Sequence, residues 1–231
     1  MFTKICANTN LADAQLAAEL GADAVGFVFA PSRRRVNAEQ VAAITPHLPD
    51  SVFTVGVFAT TDADEIIRSV RIADLRAAQL HHDPVPELIA QLNEAFEGHV
   101  RLIQTVPFNV HAGDNTSFAS SLTRALTTPG LWAVLIDAAR RGKSGGLGMA
   151  FDWVLAAKEI QQASNAAAEA CGKDIPPIII AGGLHSRNVA GAIETLQPWG
   201  VDVASGVEAE PGRKDPVRLR HFLAAVRAAS A

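Results

Sequence analysis

The sequence predicts an α/β protein, a single-domain (β/α)8 TIM barrel over residues 1–231. Three observations carry this: eight short apolar runs, a helix-like stretch after each, and polar reactive groups at the run ends. The runs are Lys4–Ala7, Ala24–Phe29, Val52–Phe58, Ala77–His81, Arg101–Phe108, Ala133–Asp137, Pro177–Ala181 and Val201–Ala204. Each is short and enriched in Val, Ile or Phe, as strands buried on both faces are. Between the first two, Asn10 can cap a helix that runs to Leu20 and stops at Gly21. Strands alternating with helices imply a parallel sheet with right-handed crossovers. Eight such units favour closure into a barrel over a doubly wound open sheet, the runner-up. No Pro- or Ser-rich linker divides the chain.

Composition narrows the function classes. The chain has 231 residues, 48% of them hydrophobic and 19% charged, which suits a water-soluble enzyme. A net charge of −4 argues against a nucleic-acid partner. Cys6 and Cys171 are too few and too far apart for a disulfide framework. The N-terminus lacks signal-peptide character, and no apolar run approaches the roughly 20 residues that span a bilayer. The expectation is a cytoplasmic protein with no membrane partner, a monomer or homodimer.

Barrel enzymes carry their chemistry at the C-terminal ends of the strands. Cys6 closes the first run and Asp137 the sixth, so a thiol and a carboxyl can face one pocket as base and acid. After the seventh run comes Ala181-Gly182-Gly183-Leu184, and after the eighth Ala204-Ser205-Gly206-Val207. Glycines there let backbone N–H groups approach an anion, and barrels often hold a phosphate at these two loops. The loop Gly142-Lys143-Ser144-Gly145-Gly146-Leu147-Gly148 reads as a mobile cover for a phosphorylated ligand. No Walker or dinucleotide fingerprint occurs, so no nucleotide cofactor is expected.

These pieces resemble the phosphoribosylanthranilate isomerase family of tryptophan biosynthesis. The matching stretches include Lys4-Ile5-Cys6, Gly21-Ala22-Asp23-Ala24-Val25-Gly26-Phe27, Ser32-Arg33-Arg34-Arg35-Val36 and Gln79-Leu80-His81. They continue with Leu135-Ile136-Asp137, Phe151-Asp152-Trp153, Ala181-Gly182-Gly183-Leu184, Ser205-Gly206-Val207-Glu208 and Pro211-Gly212-Arg213-Lys214-Asp215. The resemblance implies a cofactor-free, metal-free Amadori rearrangement of N-(5-phosphoribosyl)anthranilate, a phosphosugar, to an aminoketose. An acid protonates the ribose ring oxygen to open the ring, and a base removes the C2′ proton. By position Asp137 is the acid and Cys6 the base. Lys4, two residues before Cys6, lies on the same strand face and can favour the thiolate. The resemblance further implies that Arg34 binds the anthranilate carboxylate and that Asp202 positions ribose hydroxyls; the phosphate is expected at the glycine loops, on Gly182, Gly183, Ser205 and Gly206. His81 ends the fourth run and can face the pocket, but it is expected to be structural.

The chain departs from the family pattern at Ala7 and Asn8, where glycine and isoleucine are usual. His82 stands for a glycine and Gln104 for a lysine. The alternatives are an isomerase for the histidine-pathway aminoaldose, a Schiff-base lyase using Lys4, and a non-catalytic phosphosugar-binding barrel. The histidine-pathway substrate carries a second phosphate, and the early loops offer no second glycine cradle for it.

Overall fold

The computed structural model describes residues 1–109, 116–140, 143–144, 153–172 and 174–230. Eight parallel strands close into a barrel: β1 (Phe2–Ile5), β2 (Ala24–Val28), β3 (Phe53–Phe58), β4 (Ala77–Leu80), β5 (Arg101–Asn109), β6 (Ala133–Arg140), β7 (Ile178–Ile180) and β8 (Gly200–Val203). Their order is 5-4-3-2-1-8-7-6, and β5 pairs with β6 to complete the ring. The outer helices are α1 (Leu11–Glu19), α2 (Ala38–Ala42), α3 (Ala63–Ile72), α4 (Pro86–Phe96), α5 (Thr116–Thr127), α6 (Trp153–Cys171), α7 (Val189–Leu196) and α8 (Pro216–Ala229). The (β/α)8 barrel expected from the sequence is the fold observed. Among the described residues, no helix is long and apolar enough to cross a membrane.

Local chemistry explains the boundaries. Asn10 caps α1 by accepting from the Asp13 N–H, and Gly21 leaves the helix at φ +90°. Asp62 caps α3, Asp215 caps α8, and Asn37 forms a reciprocal capping box with Gln40 on α2. Two strands run further than expected. β5 reaches Asn109 and β6 reaches Arg140, because the pair extends through Pro107↔Asp137 to Asn109↔Ala139. Asp137 therefore sits within β6 rather than at its end. A two-residue strand, Lys143–Ser144, pairs back on β6. The rest of the expected covering loop, 142 and 145–148, lies outside the described residues, as do Phe151 and Asp152.

Period-two alternation assigns the strand faces. The outward faces meet the helices in two large apolar clusters, one of which holds Ile5, Val25, Phe27, Leu80 and Val201. The lower lumen is filled by Ala24, Val55, Ala77, Ile103, Leu135 and Ile179. Aromatic rings floor it: Phe2 stacks on Trp199 at 4.6 Å, and Trp132 lies edge-on to both. Apolar packing closes the bottom, so the polar inward positions, Lys4, Cys6, Gln79, His81, Asp137 and Asp202, collect at the strands' C-terminal end.

Candidate active site

A cavity of about 310 Å³ opens at that end. Its wall includes Cys6, Arg34, Gln79, His81, Asp137, Gly182, Gly183, Asp202 and Ser205. Of the catalytic and substrate-binding residues expected from the sequence, Gly206 is not on this wall. A Cβ at Gly206 would lie 1.9 Å from the Leu184 carbonyl oxygen, so its glycine lets the loops after β7 and β8 touch. Gly182 and Gly183 both adopt positive φ, +91° and +65°, which turns the backbone at the strand end. The Asn188 side chain braces this loop, donating to the Gly183 carbonyl and accepting from the His185 N–H. A larger cavity of about 680 Å³ lies at the strand starts beside Arg101, Trp132 and Pro177. It is remote from the thiol and carboxyl, and barrel chemistry does not reside at that end.

Cys6 follows β1 and extends its ladder, donating its N–H to the Val203 carbonyl at 2.8 Å. Its sulfur rests over Gly26 of β2, where an added Cβ would fall 2.8 Å from Sγ and 3.2 Å from Lys4 Cε. The thiol and the lysine stem thus share the space that the missing side chain leaves. Lys4 is wholly buried and donates to Asp202 Oδ1 at 2.9 Å. Burial works against its charge, but Asp202 and Cys6 more than offset that and hold its pKa above the ordinary lysine value. A nucleophilic amine must be neutral, so this ammonium disfavours the Schiff-base alternative.

Burial also pushes the Cys6 thiol up, and Lys4 and Lys214 pull against it without cancelling it. The thiol is therefore protonated in most molecules at neutral pH, and the thiolate fraction grows as pH rises towards the raised pKa. Thiolate absorbance of the protein minus that of Cys6→Ser should titrate above pH 9.0, the ordinary value for this group. Titration below that value would mean that the cations outweigh burial. The difference spectrum removes the contribution of exposed Cys171.

His81, expected to be structural, lines the cavity, and its buried Nδ1 has no hydrogen-bond partner among the described residues. Burial, reinforced by the Lys4 charge, lowers its pKa and keeps the ring neutral. The position is the inward one two residues after Gln79, so strand alternation carried the signal. Gln79 donates to Thr105 Oγ1 at 3.0 Å.

The departures from the family pattern have local causes. Ala7 sits at φ +63°, a left-handed conformation that costs a residue with a Cβ about 1–2 kcal/mol. Asn8 clamps this turn, its Nδ2 donating to the Ile5 and Gly26 carbonyls at 2.8 and 3.2 Å. Gln104 is buried off the cavity wall and donates to the His82 carbonyl at 2.7 Å, so it ties down the loop after β4.

A closed (β/α)8 barrel with a thiol, a carboxyl and a glycine-turned loop on one cavity defines a barrel enzyme. The chain matches the N-(5'phosphoribosyl)anthranilate (PRA) isomerase family over residues 3–225. It belongs to that family. An N-(5'-phosphoribosyl)anthranilate isomerase of Rubrobacter xylanophilus is 37% identical over 225 residues, covering 97% of this chain and 98% of the relative. The phosphoribosyl anthranilate isomerase of Thermotoga maritima superposes with a TM-score of 0.80 at 32% identity, covering 99% of each chain. A further structure of such an isomerase, in complex with reduced 1-(o-carboxyphenylamino)-1-deoxyribulose 5-phosphate, gives 0.77 at 32% identity with the same coverage.

Proposed function

We infer that this chain is a phosphoribosylanthranilate isomerase of tryptophan biosynthesis, acting as one barrel unit through the groups that line its upper cavity. The observation that carries the residue roles is the presence of Cys6 and Asp137 on one wall of about 310 Å³ with the Gly182-Gly183 turn. The anthranilate ring lies towards Arg34, and the phosphate towards Gly182, Gly183 and Ser205, with Gly206 setting the loop behind them. Asp137 donates a proton to the ribose ring oxygen, which opens the ring to a Schiff base. Cys6 as thiolate takes the C2′ proton, and the enolamine so formed becomes the ketone. Asp202 reaches the ribose hydroxyls while its other partner, Lys4, holds it in place. No step calls for a cofactor.

Expression of the chain should restore growth without tryptophan to a strain lacking this isomerase. It should not restore growth without histidine to a strain lacking the corresponding histidine-pathway isomerase. The Pro31–Arg35 and Ala59–Asp62 segments offer no second glycine cradle for that substrate's far phosphate. Growth of the second strain would overturn the specificity.

Arg34→Ala should raise KM for phosphoribosylanthranilate by at least about tenfold, since it removes a charge-assisted hydrogen-bonded pair worth roughly 1.5–3 kcal/mol. Inhibition by ribulose 5-phosphate, which has no benzoate, should stay within about twofold, as distant contacts are independent. Equal weakening of both ligands would assign Arg34 to the phosphate or the fold.

A further inference from the structure

The segment after β8 matches the family in sequence, but the reaction as described gives it no task. It forms a hairpin, β9 (Glu208–Glu210) and β10 (Arg213–Lys214), that folds under the cavity wall. Glu208 begins it with a side chain only 3% exposed. Its carboxylate accepts from Arg34, 174 residues earlier, at three places: Nε to Oε1 at 2.9 Å, Nε to Oε2 at 3.0 Å, and Nη2 to Oε2 at 2.7 Å. This grip occupies the Nε–Nη2 edge of the guanidinium. Nη1 has no acceptor among the described residues, so the end-on Nη1–Nη2 edge stays open on a residue that lines the cavity.

The hairpin is built to hold Glu208 still. The Gly212 N–H donates to Oε1 at 3.2 Å, and Lys214 Nζ lies 3.5 Å from the same oxygen. Thr9 Oγ1 fixes the Gly212 carbonyl at 2.6 Å, Lys214 N–H donates to Asp13 Oδ2 at 2.8 Å, and Asp215 N–H to the Val207 carbonyl at 2.9 Å. Lys214 Nζ also donates to the Cys6 carbonyl. Burial of Lys214 disfavours its charge, and Glu208 is the first group that works against this. Glu208 is thus held between Arg34 on one side and Lys214 and the Gly212 N–H on the other.

We propose that Glu208 is a positioning residue for carboxylate recognition: it grips Arg34 by one edge and thereby presents the other edge, already oriented, to the anthranilate carboxylate. The proposal rests on the reading of Arg34 above. An unrestrained arginine must give up considerable side-chain freedom on binding, and Glu208 removes that cost beforehand. The guanidinium fork also matches a planar carboxylate in geometry as well as charge.

The test is a double-mutant cycle of Arg34→Ala and Glu208→Gln, read as KM for phosphoribosylanthranilate and as inhibition by ribulose 5-phosphate. Glu208→Gln should raise KM ~tenfold and lower kcat no more than ~threefold, with ribulose 5-phosphate inhibition within ~twofold. In the Arg34→Ala background, the same change should move KM less than ~twofold, because a residue that acts through Arg34 has nothing left to act on. If Glu208→Gln gives no folded protein, Glu208→Asp shortens the reach without removing the charge and should raise KM in the same sense. A KM rise for Arg34→Ala with none for the Glu208 variant, or additive effects, would overturn the positioning role alone. An unchanged KM for Arg34→Ala would instead overturn the carboxylate reading on which it stands.

Discussion

Asp137→Asn should cut turnover by about 10²–10⁴-fold, the range a general acid contributes, while the fold and the affinity for a reduced product analogue hold. The amide keeps the shape of the carboxylic acid but has no acidic proton to give the ring oxygen. Ring opening precedes every later event, so no other group can supply the loss downstream. The substitution should also be well tolerated. Asp137 is only partly buried, and its backbone is fixed by pairing between β5 and β6. Steady-state kcat with a fluorescence titration of the analogue measures both quantities. Activity within tenfold of the parent would assign the acid elsewhere.

The second large effect belongs to Cys6→Ser, for which kcat should fall at least about 100-fold with KM nearly unchanged. The hydroxyl fits where the sulfur lay above Gly26 and leaves the Cys6 N–H bond to Val203 intact. What changes is acidity, since an alcohol beside Lys4 is far less acidic than a thiol in the same place. A raised KM with unchanged kcat would make Cys6 a packing residue.

Strand alternation made most of this site legible in advance. Lys4 and Cys6 share a face, and so do Gln79 and His81, because period-two spacing is a property of the backbone alone. The eight strands were legible for the same reason, since each needs only its own short apolar run. The extension of β6 past Asp137 was not, because it depends on pairing with β5 along Phe108 and Asn109. Asp202 shows the same limit. Its residue type in a buried strand was visible, but its partner Lys4 is 198 residues away and became apparent only when β1 paired with β8. The Arg34–Glu208 grip is likewise a product of barrel closure. The strand position of His81 let it face the pocket but did not reveal whether a partner meets the ring. The Ala7 strain and its Asn8 clamp follow from a backbone angle that the residue types do not disclose.

Phosphoribosylanthranilate, freshly made from anthranilate, is mixed with the purified protein, and emission from the anthranilate ring is followed. That emission should fall rapidly, and only when the protein is present, as the aminoketose forms. The loss should be greatly slowed by Asp137→Asn and by Cys6→Ser. Tight binding of the phosphosugar with no loss of emission beyond the spontaneous rate would contradict the proposed function, and would leave a barrel that binds without catalysis.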